Sequence, residues 1–66
     1  MNITLNGEPH QIAPRTTVTS LLKALNIPLV KVAVERNLAI VPRSQFDAVF
    51  LAEGDTIEIV RFIGGG

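Results

Sequence analysis

Residues 1–5 alternate, with Met1, Ile3 and Leu5 on one side of an extended chain and Asn2 and Thr4 on the other. That period of two is the mark of a half-buried strand. Asn6-Gly7 follows. Both central residues of a type I′ turn need positive φ, which Asn and Gly bear best, so a hairpin is predicted, with its second strand over residues 8–12. Pro9 falls in that strand and donates no ladder hydrogen bond, which places the strand at a sheet edge. Residues 13–16 read as a loop. Val18, Leu21, Leu22 and Leu25 then recur at i, i+3, i+4 and i+7, one stripe of an α-helix of about eight to ten residues. Thr17 is placed to cap its first turn. Asn26 can take the left-handed position after its last turn, and Pro28 cannot continue it.

Residues 31–35 alternate again, with Val32 and Val34 on one face. Arg36-Asn37 reads as a tight turn, and residues 38–41 as a short strand that Pro42 ends. Ser44 and Asp47 have capping-box spacing, and Phe46, Val49 and Phe50 suggest one helical turn docked on the core. Glu53-Gly54-Asp55 is a turn. Residues 56–62 are the most β-prone segment, with Ile57 and Ile59 on one face and Glu58, Val60 and Phe62 on the other. The first hairpin cannot bury its own apolar face, so the helix must cross it, and the last strand can then pair beside the first. The expected class is α+β: a mixed sheet of about five strands with one main helix on one face. This is the ubiquitin-like β-grasp arrangement, in which the last strand is central. Residues 1–66 read as a single domain, with residues 63–66 as a flexible C-terminal glycine tail.

Composition narrows the function. With 66 residues, 47% of them apolar, the chain is too apolar for disorder and long enough for one domain. Six Lys+Arg offset six Asp+Glu, and the cations are scattered, which argues against a nucleic-acid binder. No apolar run is long enough to cross a membrane, and no signal peptide is evident; a cytoplasmic protein is expected. There is no cysteine, so disulfides, Cys-ligated zinc and thiol nucleophiles are excluded. The single histidine, His10, reads as a partly exposed packing residue, and Asp55 and Glu58 as a solvated turn and sheet face. No metal site is expected. A core this small leaves little room for a buried catalytic cleft, so a binding or carrier module is expected before an enzyme.

The chemistry lies at the end of the chain. Gly64, Gly65 and Gly66 follow Ile63, the last apolar anchor, and glycine loses the most backbone entropy on ordering. A slim, side-chain-free arm is expected there. An α-carboxylate on Gly66 has an ordinary pKa of about 3.3–3.7 and is ionised at pH 7. On such an arm it can enter a narrow active site, attack the α-phosphate of ATP to give an acyl-adenylate, and exchange AMP for sulfur. A glycine-rich end alone is commonplace; here the glycines follow a central strand directly. Val60 and Phe62, with Ile63, are the candidate partner-binding residues: exposed apolar side chains beside a functional tail suggest a docking surface, the alternative being that long side chains of neighbouring strands shield Val60 and Phe62.

The sequence resembles the ThiS-type sulfur carriers of thiamine biosynthesis over nearly its whole length. The resemblance rests on Met1-Asn2-Ile3-Thr4-Leu5-Asn6-Gly7, the helix through Val18 and Leu25, and Val32-Ala33-Val34-Glu35 with Asn37. It continues in Ile40-Val41-Pro42-Arg43-Ser44 with Phe46, in Glu53-Gly54-Asp55 leading to Ile57-Glu58-Ile59-Val60, and in the terminal Gly65-Gly66. Gly64 departs slightly from the family, which is often less glycine-rich there. The resemblance implies that a ThiF-like adenylyltransferase activates Gly66 with ATP. Sulfur from a persulfide donor then makes a thiocarboxylate, and thiazole synthase takes that sulfur. The carrier would be a protein co-substrate with no cofactor of its own. A molybdopterin-type sulfur carrier shares the fold and the Gly-Gly end, and a β-grasp interaction domain that is never activated is the reading from another class.

Overall fold

The computed structural model describes residues 1–62; the expected glycine tail, residues 63–66, lies outside the described residues. Among the described residues, five strands and one helix run in the order β1 (Asn2–Leu5), β2 (Glu8–Gln11), α1 (Val18–Ala24), β3 (Val32–Arg36), β4 (Ala39–Ile40) and β5 (Thr56–Arg61), with a 3₁₀ turn over Arg43–Gln45 before β5. The sheet order is β2-β1-β5-β3-β4. β5 is central, parallel to β1 and antiparallel to β3, and β2 is an edge strand, as Pro9 requires. The expected β-grasp sheet is present.

Local chemistry explains the elements. Asn6 and Gly7 have φ of 48° and 84°, the left-handed pair of a type I′ turn. Thr17 Oγ1 accepts from the Ser20 N–H at 3.0 Å, and the Phe46 carbonyl accepts from the Thr19 N–H at 3.1 Å. Two of the otherwise unpaired amides of α1 are thereby satisfied. At the other end Asn26 has φ 59°. Its N–H donates to the Lys23 carbonyl, and the Ile27 N–H donates to that of Leu22, the paired bonds of a Schellman cap. Those caps confine α1 to 7 residues, slightly shorter than its apolar stripe suggests.

The core lies between α1 and one face of the sheet. Val18, Leu21 and Leu22 of α1 meet Ile3, Val34, Ile57 and Ile59 of the strands, with Val41, Phe46 and Leu51 closing the side. His10, opposite Ile3 in the β1–β2 register, is half-buried, in keeping with a packing role.

Four expectations need correction. The β3–β4 turn is centred on Asn37 and Leu38, with φ of 52° and 71°, not on Arg36-Asn37. Arg36 stays in β3, where its side chain binds Asp55. Ser44 and Asp47 form no capping box: the 3₁₀ turn starts at Pro42 without a side-chain cap, and Asp47 instead accepts from the Thr19 hydroxyl. Phe50 is not in the core. It is exposed, with the Arg15 guanidinium 5.0 Å from its ring centroid. Asp55 is buried rather than solvated.

Candidate functional site

The candidate site is the far end of β5, and its geometry is set at the near end. Asp55, one residue before the strand, accepts the Ala52 N–H at 2.8 Å, the Arg36 Nε–H at 2.8 Å and the Asn37 side-chain amide at 3.1 Å. Burial alone would raise its pKa above the ordinary 3.8. The bonds from Ala52, Asn37 and Arg36, with the charge of Arg36, outweigh burial and hold it lower. Asn37 also accepts the Thr56 N–H through its side-chain oxygen at 2.9 Å. One carboxylate therefore ties β3, the turn after it and the start of β5 together.

β1 stops alongside β5 at Leu5, opposite Ile57. Asn6 continues the ladder past that point. Its N–H donates to the Ile57 carbonyl at 2.9 Å, and its side-chain oxygen accepts the Ile59 N–H at 2.8 Å. The Asn of the hairpin thus serves the turn through its φ and the central strand through its side chain.

Beyond Ile59 the strand presents its outer face. Ile57 and Ile59 point under α1, while Glu58, Val60 and Phe62 are exposed. Val60 is 55% and Phe62 56% accessible, on the face that the alternation of β5 assigns to them, and neighbouring strands do not shield them. The Phe62 N–H still donates to the carbonyl of Lys31, the residue before β3, at 2.8 Å, so the backbone is held up to the last described residue. Ile63, Gly64, Gly65 and Gly66, the remaining candidate site residues, lie outside the described residues. Sequence reading missed the anchoring role of Asp55, because a carboxylate in a Glu-Gly-Asp turn ordinarily faces water. The signal for it was Arg36 and Asn37 at the end of β3, legible only once β3 is paired with β5.

Residues 3–66 match the model of the ThiS family. The chain belongs to the ThiS family. A sulfur carrier protein ThiS of Bacillus subtilis is 38% identical over 63 residues, covering 94% of this chain and 96% of the relative. The crystal structure of a thiamine biosynthesis protein (ThiS) from Geobacter metallireducens superposes with a TM-score of 0.85 at 40% identity, covering all of both chains. A thiazole synthase of Magnetococcus marinus is 54% identical over 66 residues; the chain spans 20% of that relative's length. A second thiazole synthase, from Paramagnetospirillum magneticum, is 48% identical, and the chain again spans 20% of its length. ThiS membership and the shared fold agree with the β-grasp reading of the sequence.

Proposed function

We propose that this protein is a sulfur carrier for thiazole formation in thiamine biosynthesis, and that the α-carboxylate of Gly66 is the carrying group. The observation that carries the reading is the design of β5. A central strand, pinned at its start by Asp55 and in its middle by Asn6, leads through exposed Val60 and Phe62 to Ile63 and three glycines in sequence. Such a body gives a partner enzyme a fixed surface from which to find the terminus.

The chemistry needs a free carboxylate at Gly66. A carboxylate oxygen attacks the α-phosphorus of ATP held by a ThiF-like adenylyltransferase, and pyrophosphate leaves. The outer sulfur of a persulfide donor attacks the acyl carbon and displaces AMP, joining carrier and donor through an acyl disulfide. A second thiol on the donor side then attacks the donor's own sulfur, forming a disulfide there and releasing the thiocarboxylate. Thiazole synthase then accepts the sulfur. Gly65 and Gly64 keep the arm slim enough for a narrow active site, and Val60, Phe62 and Ile63 contact the partner. ATP is the partner's substrate; the carrier supplies no acid, base or metal, and acts in the cytoplasm. The two thiazole synthases that contain a similar segment support thiazole synthase as a partner, because joining two modules in one chain raises their effective concentration. The ThiS family match favours this reading over a molybdopterin-type carrier.

Appending one residue after Gly66 tests the role of the terminus. The extended chain is expected to keep its fold, seen as an unchanged melting temperature, and to lose adenylation because its carboxylate is displaced from the ATP. Normal adenylation of the extended chain overturns the mechanism.

A further inference from the structure

Four asparagines occur in the chain, and Asn6 alone precedes a glycine. Asn2, Asn26 and Asn37 are followed by Ile3, Ile27 and Leu38, whose side chains crowd the main-chain nitrogen. Gly7 has no such shield. Both turn residues are exposed, and a Cβ at Gly7 would meet nothing within 4 Å. The Gly7 nitrogen therefore lies in open solvent, next in the chain to a side-chain amide carbon that it can attack.

The turn keeps the two apart. Ring closure between the Gly7 nitrogen and Asn6 Cγ needs that nitrogen on the same side of the Asn6 Cα–C bond as Cβ. A first turn residue of type I′, here at φ 48°, has ψ of about 30°, which puts the nitrogen on the far side. The side chain is restrained as well, because its oxygen accepts the Ile59 N–H at 2.8 Å. In a parallel ladder, a residue that donates to one partner accepts, through its main-chain carbonyl, from the residue two further on. Asn6 donates to Ile57 through its N–H but meets Ile59 through its side chain, since the turn diverts its main-chain carbonyl. That side-chain oxygen ties the middle of β5 to the first hairpin at a buried residue.

We propose that Asn6 is a deamidation site which the turn holds closed, and that isoaspartate formed there unhooks the middle of β5. When the turn opens, the Gly7 nitrogen bonds to Asn6 Cγ and gives up its proton. The bond from Cγ to the side-chain nitrogen breaks, and ammonia leaves. Water then opens the succinimide. Cleavage at Cγ gives aspartate, whose carboxylate can still accept from Ile59. Cleavage at the main-chain carbonyl gives isoaspartate. The main chain then runs through Cβ and Cγ, one carbon longer, and the oxygen that held Ile59 belongs to the main chain of the turn. A two-residue turn fixes hairpin register by its length. The lengthened turn cannot keep both the β1–β2 register and the bond to Ile59. None of these steps depends on the carrier reading.

The full chain is incubated in heavy-oxygen water at mildly alkaline pH, folded and in guanidinium chloride. Conversion at each asparagine is followed by mass and fragmentation. Asn6 is expected to convert first in the unfolded chain, and at least about tenfold more slowly in the folded one, where the turn must open first. Equal rates overturn the protection. Faster conversion at another asparagine, or none at Asn6 in denaturant, overturns the site. The isoaspartate form is then separated and refolded. Its Tm is expected to fall by about 4–8 °C, as for one stranded main-chain donor in a domain of this size, with faster hydrogen exchange at the Ile59 amide. Asn6→Asp keeps the acceptor and should hold both near those of the unaltered chain. An isoaspartate form with unchanged Tm and Ile59 exchange, or an Asn6→Asp chain as damaged as the isoaspartate form, overturns the unhooking.

Discussion

The two faces of β5 are made from neighbouring residues and do opposite work. Inward, Ile57 and Ile59 are 0% and 9% accessible and pack under α1. Outward, Glu58, Val60 and Phe62 meet solvent. The inward residues are surrounded by this chain's own side chains, so their energy is spent on folding. The outward residues are left without cover, and Glu58 faces a second carboxylate. A strand that must be both the core of a small fold and a surface for partners can do so because its side chains alternate. One face is then free of the demands of the other.

That division can be broken most severely from the inside. Ile57→Ala removes a fully buried side chain from the centre of the sheet, and is expected to cost about 2–5 kcal/mol in chemical unfolding. In a domain this small the variant is expected to be partly unfolded at room temperature. A loss below about 1 kcal/mol contradicts the claim that the inward face carries the fold.

The next largest effect concerns the anchor at the start of β5. Asp55→Ala strands the Ala52 N–H and the Arg36 and Asn37 donors, and is expected to cost about 1–3 kcal/mol. The same carboxylate sets a pH dependence. Its folded pKa lies below the ordinary 3.8. Its contribution is therefore fully present above that value and is lost as pH falls from there through the lower folded pKa. Thermal melts of Asp55→Asn between neutral pH and acid should show a shallower acid decline than the unaltered chain. Parallel curves contradict the assigned role.

The outward face should behave differently. Phe62→Ala is expected to change folding stability by no more than about 0.5 kcal/mol and to weaken binding to the adenylyltransferase about tenfold. A large loss of stability with unchanged binding reverses the assignment of faces.

The smallest effect is expected at the β3–β4 turn. Leu38 is 87% accessible at φ 71°, where a Cβ is unfavourable and glycine is not. Leu38→Gly should leave stability unchanged or raise it by about 0.5–1 kcal/mol, less whatever glycine adds to the entropy of the unfolded chain. A loss above about 1 kcal/mol indicates a packing role for Leu38 that its exposure conceals.

Most of the framework was legible because it is written in local signals. Asn6-Gly7, Thr17, Asn26 and the stripe of Val18, Leu21 and Leu22 each specify a turn, a cap or a face within a few residues. The alternation of Ile57, Glu58, Ile59 and Val60 likewise assigned each side chain to its face of the sheet. What escaped depends on long-range pairing. Asp55 looked solvated until β3 brought Arg36 and Asn37 against it. Asp47 suggested a cap for its own turn, but Thr19, distant in sequence, takes its oxygen. The opposition of Glu35 and Glu58 is a matter of register across two strands, which no local pattern sets. The β3–β4 turn was misplaced by one residue because Leu38, a poor choice for positive φ, occupies a position where glycine would have marked it.

The central claim is that the terminus carries sulfur, and mass spectrometry of the intact chain tests it most directly. The 66-residue protein is incubated with a ThiF-like adenylyltransferase, ATP and a sulfide source, and its mass is compared with that of a sample lacking ATP. The account predicts an ATP-dependent gain equal to the exchange of one oxygen for one sulfur, located at Gly66 by fragmentation. An unchanged mass, with the enzyme shown to be active on another carrier, contradicts it.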